Sequence, residues 1–209
     1  HLKVCENFQK VDVFCKYPTV YEPERNLIIR LNEIFDCECD FRYKPIIVFD
    51  FESLVINYKV NITESSEIQN FQQGVSVSLF SNIPGYENEI FIENKEPIML
   101  FRKMFIELDV MTMQATLLMK HQIKNLYDKI DTITDEGKKQ YYYGLLDRYV
   151  NEVPIIGFNS GKYDINLNIN EFMSKLISRN GDKIFSVKNG NSFKALKSGR
   201  FSFFDICQY

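Results

Sequence analysis

Two apolar runs, each followed by acidic side chains, constrain the fold of this chain more than any other feature. The first spans residues 45–49 and is followed by Asp50 and Glu52, and the second spans residues 153–158 and is followed, a few residues later, by Asp164. Apolar runs of this length and composition predict buried strands. Because side chains alternate along a strand, Asp50 and Glu52 should point to the same face. Groups that follow buried strands lie at the edge where parallel or mixed sheets present functional side chains.

Asp50, Glu52 and Asp164 are the candidate metal ligands of the chain. The first two share one strand face, and the third arrives from the far end of the domain, just after the second buried strand. Hard oxygen ligands that converge without histidine or cysteine favour Mg²⁺ or Mn²⁺ over zinc. Cys37 and Cys39 resemble half a zinc site, but no second pair follows at the usual spacing, so the pattern does not favour a zinc finger.

Composition limits the classes of function. The 209 residues are 45% hydrophobic, with 18 Phe and 12 Tyr, as in a packed globular protein. No apolar run is long enough to span a membrane, so we expect no membrane partner. The net charge of −3 argues against a protein that coats DNA, because non-specific binding usually needs a basic excess. A short single strand could be held if metal ions offset the acidic site.

The remaining pattern predicts an α/β or α+β layered domain. An antiparallel meander should use strands 46–51, 74–80 and 89–92, with residues 57–72 as a loop. From Pro97, apolar residues at helical spacing predict a helix to about residue 130, and a second helix covers about 135–149. The stripe Ile98, Phe101, Phe105 and Leu108 should pack on the sheet or on a following helix, and the methionines should fill the core. After strand 154–158 we expect a helix over 164–177 and strands at 183–187, 192–196 and 201–206.

The acidic motifs resemble those of a known family. Asp50-Phe51-Glu52-Ser53 is similar to the first motif, Asp-x-Glu, of the 3′–5′ exonuclease domain of family B DNA polymerases, and Asn159 to Asp164 is similar to the second, Asn-x₂₋₃-(Phe/Tyr)-Asp. The sequence segments 157–164 and 203–206 most resemble those of the protein-primed branch found in viruses, organelle plasmids and transposons. The resemblance covers roughly residues 41–209 and implies an α/β, ribonuclease-H-like exonuclease domain, a mixed sheet with flanking helices. Residues 1–40 then form a lead-in or the tail of a preceding region.

The chain also departs from the family's pattern. The third motif, Tyr-x₃-Asp, should follow the second but is absent after Asp164, and the polymerase motifs are absent too. Tyr143 and Asp147 have this spacing but precede Asp164, so we interpret them as a chance match on a helix. Because the chain also starts at His1, these gaps suggest a fragment whose natural N-terminus is missing and which ends before the third motif.

The resemblance implies a role for each motif residue. A two-ion site of Mg²⁺ or Mn²⁺ activates a water and stabilises the departing 3′ oxygen. Asp50 would bridge both ions, Glu52 would bind one and orient the water, and Asp164 would hold the other. The residues that would bind the single-stranded 3′ end of DNA are Ser53, Asn159 and Tyr163.

Each of these residues also has a purely structural interpretation. Asn159 suits a turn, Tyr163 could belong to the core, and Asp164 could cap a helix. Asp205 could be recruited as a ligand, although a carboxylate at the end of a late strand is more often structural. Lys162 could contact a phosphate, but the sequence slightly favours a solvated side chain.

The sequence therefore predicts the proofreading exonuclease domain of a DNA-directed DNA polymerase. Its partners would be the primer 3′ end, deoxynucleotides through the polymerase domain and, in this branch, a terminal protein primer. Two alternatives stay open: an inactive remnant that acts as a structural or DNA-contacting module, and a divalent-metal nuclease outside the polymerases.

Overall fold

The computed structural model describes residues 26–39, 44–63, 66–167, 169–180 and 184–208. Over these ranges the chain forms a mixed α/β domain, a single seven-stranded sheet flanked by helices. The first 25 residues of the predicted lead-in, with Cys5 and Cys15, lie outside the described residues. Within the described ranges, no helix combines the length and the apolar character needed to cross a membrane.

The sheet combines parallel and antiparallel strands in the order β3-β2-β1-β4-β7-β6-β5. β4 is parallel to both of its neighbours, β1 and β7, and the other neighbouring pairs are antiparallel. The strands are β1 Ile47–Thr63, β2 Ser66–Ser81, β3 Ile90–Glu93, β4 Val153–Gly157, β5 Phe185–Asn189, β6 Ser192–Ser198 and β7 Phe201–Asp205. We call the edge at which β4 and β7 finish the carboxyl end of the sheet, and the opposite edge the amino end.

The helices begin at recognisable signals. Their bounds are α1 Leu27–Phe35, α2 Pro97–Gln122, α3 Lys124–Asp131, α4 Glu136–Asn151, α5 Asp164–Leu167 and α6 Ile169–Asn180, and a 3₁₀ turn covers Ile206–Gln208. Pro97 occupies the first turn of α2, where its missing N–H costs no hydrogen bond. The side chain of Asn26 accepts a hydrogen bond from the Ile28 amide at the start of α1, and Asp135 caps α4 through the Lys138 amide.

The core lies between one face of the sheet and the helices α2 and α6. The ring of Phe172 on α6 lies 5.5 Å from that of Phe105 on α2 and 5.0 Å from that of Phe203 on β7, measured between centroids. Phe101, Phe105 and Leu108 are fully buried, which confirms the predicted packing of this part of α2. The methionines of the core, fully buried as predicted, are Met104, Met111 and Met119, whereas Met113 is about half exposed.

The prediction was wrong for Ile98, the first member of the stripe. This side chain is 60% exposed, because at the start of α2 its neighbours are polar side chains of α6 rather than the sheet. Asn170, Ser174 and Lys175 line a shallow pocket of about 210 Å³ beside it.

The meander was predicted correctly, but the loop inside it was not. β1 continues to Thr63 and β2 already begins at Ser66, so most of the predicted loop 57–72 is paired strand. We call residues 53–73, without 64 and 65, the β1–β2 ribbon. Most of its described side chains are exposed, so cross-strand pairing rather than burial forms it. The alternation of apolar and polar residues from Ile56 to Thr63 is a strand signal that the loop prediction did not use.

Part of the predicted lead-in packs on the domain. Ile28 and Leu31 of α1 are fully buried in the common core. The Asn32 side chain donates a hydrogen bond to the Cys39 carbonyl at 3.1 Å, which ties the following segment to the helix.

Candidate active site at the carboxyl end of the sheet

The first motif alternates between the core and solvent. Phe49 and Phe51 are buried, with 6.1 Å between their ring centroids, and Phe51 stacks on Phe101 of α2 at 5.1 Å. Asp50 and Glu52 lie on the opposite face of the strand and are exposed. The packing of two phenylalanines therefore fixes the direction of two carboxylates, as the sequence predicts.

Ser53 lies at an irregularity of the β1–β2 ladder. Glu52 is level with Ser76, whereas Ser53 is level with Gly74, so β2 carries one extra residue at this point. A bulge of this kind increases the local twist and redirects the side chains that follow. The exposed Ser53 thus marks the place where the β1–β2 ribbon leaves the sheet.

The second motif forms a tight turn directly after β4. Asn159 has φ of 56°, a left-handed conformation that Asn tolerates better than most residues. Its carbonyl accepts hydrogen bonds from the amides of Lys162 and Tyr163 at 3.3 and 3.2 Å, and the Ser160 carbonyl accepts one from Ile165 at 2.9 Å. The interpretation of Asn159 as a turn residue is confirmed.

Two glycines allow this turn to fold back against the sheet. A Cβ atom on Gly161 would overlap the carbonyl oxygen of Phe193 in β6, and one on Gly157 would overlap the side chain of Ser160. The Phe193 amide donates a hydrogen bond to the Gly161 carbonyl at 3.1 Å, and this bond holds the turn against β6. A side chain at position 161 would push the second motif away from the strands.

Asp205 anchors the same turn from the end of β7. It is level with Gly157, and its buried carboxylate accepts hydrogen bonds from the Gly161 amide at Oδ2 and the Cys207 amide at Oδ1, both at 3.1 Å. These bonds give Asp205 a structural role, in agreement with the use that the sequence favours. The signal for that role is its position at the end of a buried strand.

Asp164 is the first residue of α5 and only 8% exposed. Burial raises the pKa of its carboxyl to about 7, and the negative charges of Asp50, Asp205 and Glu52 raise it in the same direction. The carboxylates of the two motifs are therefore close enough for their charges to interact. As the helix begins at Asp164 itself, this residue occupies the first turn rather than the position before it.

These carboxylates are neighbours, but they do not form a closed set of ligands. Among the residues that the structure describes, no three His, Cys, Asp or Glu side chains lie close enough to share one metal ion. Charge repulsion acts over several ångströms, whereas coordination of Mg²⁺ needs oxygens at about 2.1 Å, so the two observations are compatible. The donors suit Mg²⁺ or Mn²⁺ in their chemistry, and a cation would relieve the repulsion that, after burial, raises the pKa of Asp164. That they gather around an ion stays a prediction.

Tyr163 and Lys162 extend from the turn into solvent. The Tyr163 side chain is 53% exposed, so the alternative that it belongs to the core is wrong. The Lys162 ammonium lies 5.2 Å from the centroid of the Tyr163 ring, within the range of a cation–π contact. An exposed aromatic ring beside a positive charge can take a base and a phosphate.

Tyr143 and Asp147, which have the spacing of the third motif, lie in the helical layer. Asp147 accepts a hydrogen bond from the Tyr127 hydroxyl at 3.1 Å and lies 3.6 Å from the Lys120 ammonium, so contacts among α2, α3 and α4 account for it. This supports the interpretation of Tyr143 and Asp147 as a chance match.

Cys37 and Cys39 are neighbours after α1, where burial and the nearby Cys37 raise the pKa of the Cys39 thiol to about 11.

Comparisons with protein-family models, curated proteins and solved structures found no match for the chain. The fold and the site define a mixed α/β domain with a cluster of carboxylates at the carboxyl end of its parallel strands.

Proposed function

We propose that the chain is the 3′–5′ exonuclease domain, of ribonuclease-H-like fold, of a family B DNA polymerase, which removes mismatched nucleotides from the primer during replication. One observation carries the proposal. Asp164 of the second motif is buried at the carboxyl end of the sheet, where the charges of Asp50 and Glu52 of the first motif help to raise its pKa. The two motifs are distant in sequence, and only the parallel pairing of β1 with β4 brings them to one edge.

The three motif carboxylates are the groups that would hold the metal ions. Asp50, Glu52 and Asp164 supply only oxygen donors, which suit Mg²⁺ or Mn²⁺. Once bound, such ions activate water for attack on a phosphodiester and stabilise the departing 3′ oxygen. The contribution of the chain itself is to keep these carboxylates together against their mutual repulsion. Because the pKa of Asp164 is about 7, its carboxyl group is mostly protonated below that pH. It is a fully charged metal ligand only above that pH or when a cation is bound.

The side chains around the carboxylates suit a single-stranded 3′ end. Tyr163 offers an exposed ring on which a terminal base can stack, and Lys162 beside it can approach a phosphate. Ser53 and Asn159 flank the carboxylates in sequence and supply hydrogen-bonding groups. In this proposal deoxynucleotides and a terminal protein primer are partners of the whole polymerase rather than of this domain.

One observation favours a second candidate, a catalytically inactive module that contacts DNA. The described carboxylates do not include three that could share an ion in their present arrangement. If the chain never closes around a metal, the same surface could still bind a single strand through Tyr163 and Lys162.

The experiment is metal-dependent release of nucleotides from a single-stranded oligonucleotide labelled at its 3′ end. We expect slow release by the chain in Mn²⁺, none in EDTA, and none for Asp50→Asn or Glu52→Gln. Glu136→Gln is the matched control, because this exposed carboxylate begins α4 in the helical layer and is not a motif residue. DNA binding without any release would favour the inactive module. Rapid cleavage that tolerates the loss of Asp50 would contradict the assignment altogether.

A further inference from the structure

A second pocket lies at the amino end of the sheet, opposite the carboxylates. It has a volume of about 540 Å³ and is lined by Arg148, Glu152, Ile184, Phe185, Lys197 and the turn at 198–199. Glu152 immediately precedes β4, so the five residues of that strand, about 13 Å, separate the pocket from the carboxyl end. The volume falls within the roughly 300–1,000 Å³ typical of small-molecule sites.

The charges around this pocket are mainly positive. The Lys197 ammonium lies 2.8 Å from Oε2 of Glu152, and the Lys44 ammonium donates a hydrogen bond to the Glu152 carbonyl at 3.0 Å. Arg148 is exposed at the rim and, within the described part of the chain, forms no ion pair. Among the residues that the structure describes, three cations thus lie near one carboxylate, in a protein whose overall charge is −3. These described residues carry a local excess of two positive charges.

Lys44 does not line the pocket, but it lies close to it, bonded to the backbone of Glu152. Its ammonium lies 4.1 Å from the centroid of the Tyr149 ring and is partly buried. Burial lowers the pKa of Lys44 to about 8, so it still carries most of its charge at neutral pH. An anion in the pocket would therefore meet a positive charge that water screens poorly.

The excess charge selects a class of ligand. A phosphate monoester carries about −1.5 to −2 at neutral pH, which matches two uncompensated cations, whereas a phosphodiester carries only one charge per phosphate. Phe185 lines the same pocket with a ring that is 59% exposed, and Ile184 adds a second apolar wall. We propose that this pocket binds a nucleoside monophosphate, with its phosphate between Arg148 and Lys197 and its base against Phe185.

This site does not depend on the exonuclease proposal. The carboxyl end repels anions when no metal is bound, so binding in EDTA reports only on the amino end. Calorimetric titration of the 209-residue chain with dAMP in EDTA at pH 7 is expected to show one saturable site. Arg148→Ala and Lys197→Met should each weaken binding at least tenfold, and Phe185→Ala about fivefold. Arg102→Ala is the matched control, because this exposed arginine lies on α2 next to Phe101, outside the pocket.

Glu152→Gln should strengthen the binding of dAMP, whereas the substitutions above should weaken it. This change removes the only carboxylate among the described residues that line the pocket and frees Lys197, so dAMP should bind several-fold more tightly. A misfolded variant could not gain affinity, which separates recognition from damage to the fold. Inorganic phosphate should compete with dAMP, and deoxyadenosine should bind at least tenfold more weakly than dAMP.

Three results would overturn the proposal. One is the absence of saturable dAMP binding to the unmodified chain at millimolar concentration. Another is equal affinity for dAMP and deoxyadenosine, because the phosphate would then not be recognised. The third is tighter binding of an oligonucleotide without a terminal phosphate, lost in Arg148→Ala, which would assign the pocket to the DNA backbone.

Discussion

The two ends of the sheet carry opposite charges and are built in different ways. At the carboxyl end, Asp50, Glu52 and Asp164 come from two short motifs whose local structure already brings their side chains to the edge. At the amino end, Lys44, Arg148 and Lys197 come from three unrelated segments that meet only through the strand order. The net charge of −3 conceals this separation. A nearly balanced composition can therefore contain both a site for cations and a site for anions.

The largest expected effect tests the backbone contact that holds the acidic end in place. Gly161→Ala should destabilise the fold by ~3 kcal/mol or more, because the new Cβ would overlap the Phe193 carbonyl. Gly144→Ala is the control: this helical glycine has open space around it, and the change should stabilise by about 0.5–1 kcal/mol. Urea unfolding followed by circular dichroism measures both. Equal effects of the two substitutions would mean that the turn can move away without cost.

A smaller effect concerns repulsion at the acidic end. Because the folded pKa of Asp164, about 7, is above its ordinary value of 3.8, this group stabilises the fold fully only below pH 3.8. Its contribution decreases as the pH rises towards 7. In EDTA, Asp164→Asn should therefore stabilise the chain relative to the unmodified protein by about 1–3 kcal/mol at pH 8 and by almost nothing at pH 4. A difference that is independent of pH would indicate that Asp164 does not experience its acidic neighbours.

Metal ions should act on the acidic end alone. At 10 mM Mn²⁺, a site with a dissociation constant of about 1 mM would stabilise the chain by about 1.4 kcal/mol. We expect this increase in the unmodified chain and in Lys197→Met, but not in Asp164→Asn, as measured by thermal unfolding at pH 7.5. An equal increase in all three would mean that Mn²⁺ binds elsewhere.

The smallest expected effect concerns Lys44 at the amino end, whose contribution to stability changes with pH in the direction opposite to that of Asp164. The folded pKa of Lys44, about 8, is below its ordinary value of 10.5, so burial disfavours its charged form. The unfolded chain then binds more protons between these values, and stability rises with pH from about 8 to 10.5. Lys44→Met should remove this rise, a difference of ~1 kcal/mol seen in urea unfolding at pH 8 and pH 10. Lys103→Met, on the exposed face of α2, is the control.

The sequence predicts the acidic end better than the basic one, for a physical reason. Asp50 and Glu52 take their direction from strand alternation with Phe49 and Phe51, and the turn after β4 follows from Asn159 and Gly161. Both are local effects. The proximity of Asp164 to the first motif requires only that two buried strands be parallel neighbours, which the sequence pattern suggests.

The amino end could not be predicted in this way. Nothing in the local sequence distinguishes Lys44, Arg148 and Lys197 from other charged residues, and they come together only because β7 pairs with β4 and β6 pairs with β7. The ribbon is a different case, because its first arm does carry a strand signal: apolar and polar residues alternate from Ile56 to Thr63. The prediction of a loop gave more weight to the polar residues between them, and the second arm, 66–73, has no comparable alternation.

The β1–β2 ribbon has a consequence for how the domain opens. Beyond Glu52 the paired strands have almost no buried side chains, so the amides near the tip should exchange with deuterium through local fraying, at little free-energy cost. The same strands near Phe49 and Leu79 lie in the core, and their amides should exchange only when the whole domain unfolds. One continuous hairpin is thus divided into two cooperative units, and the boundary between them falls at Asp50 and Glu52. Asp50 and Glu52 thus lie directly next to a segment that we expect to open without the rest of the domain, whereas Asp164 lies on α5.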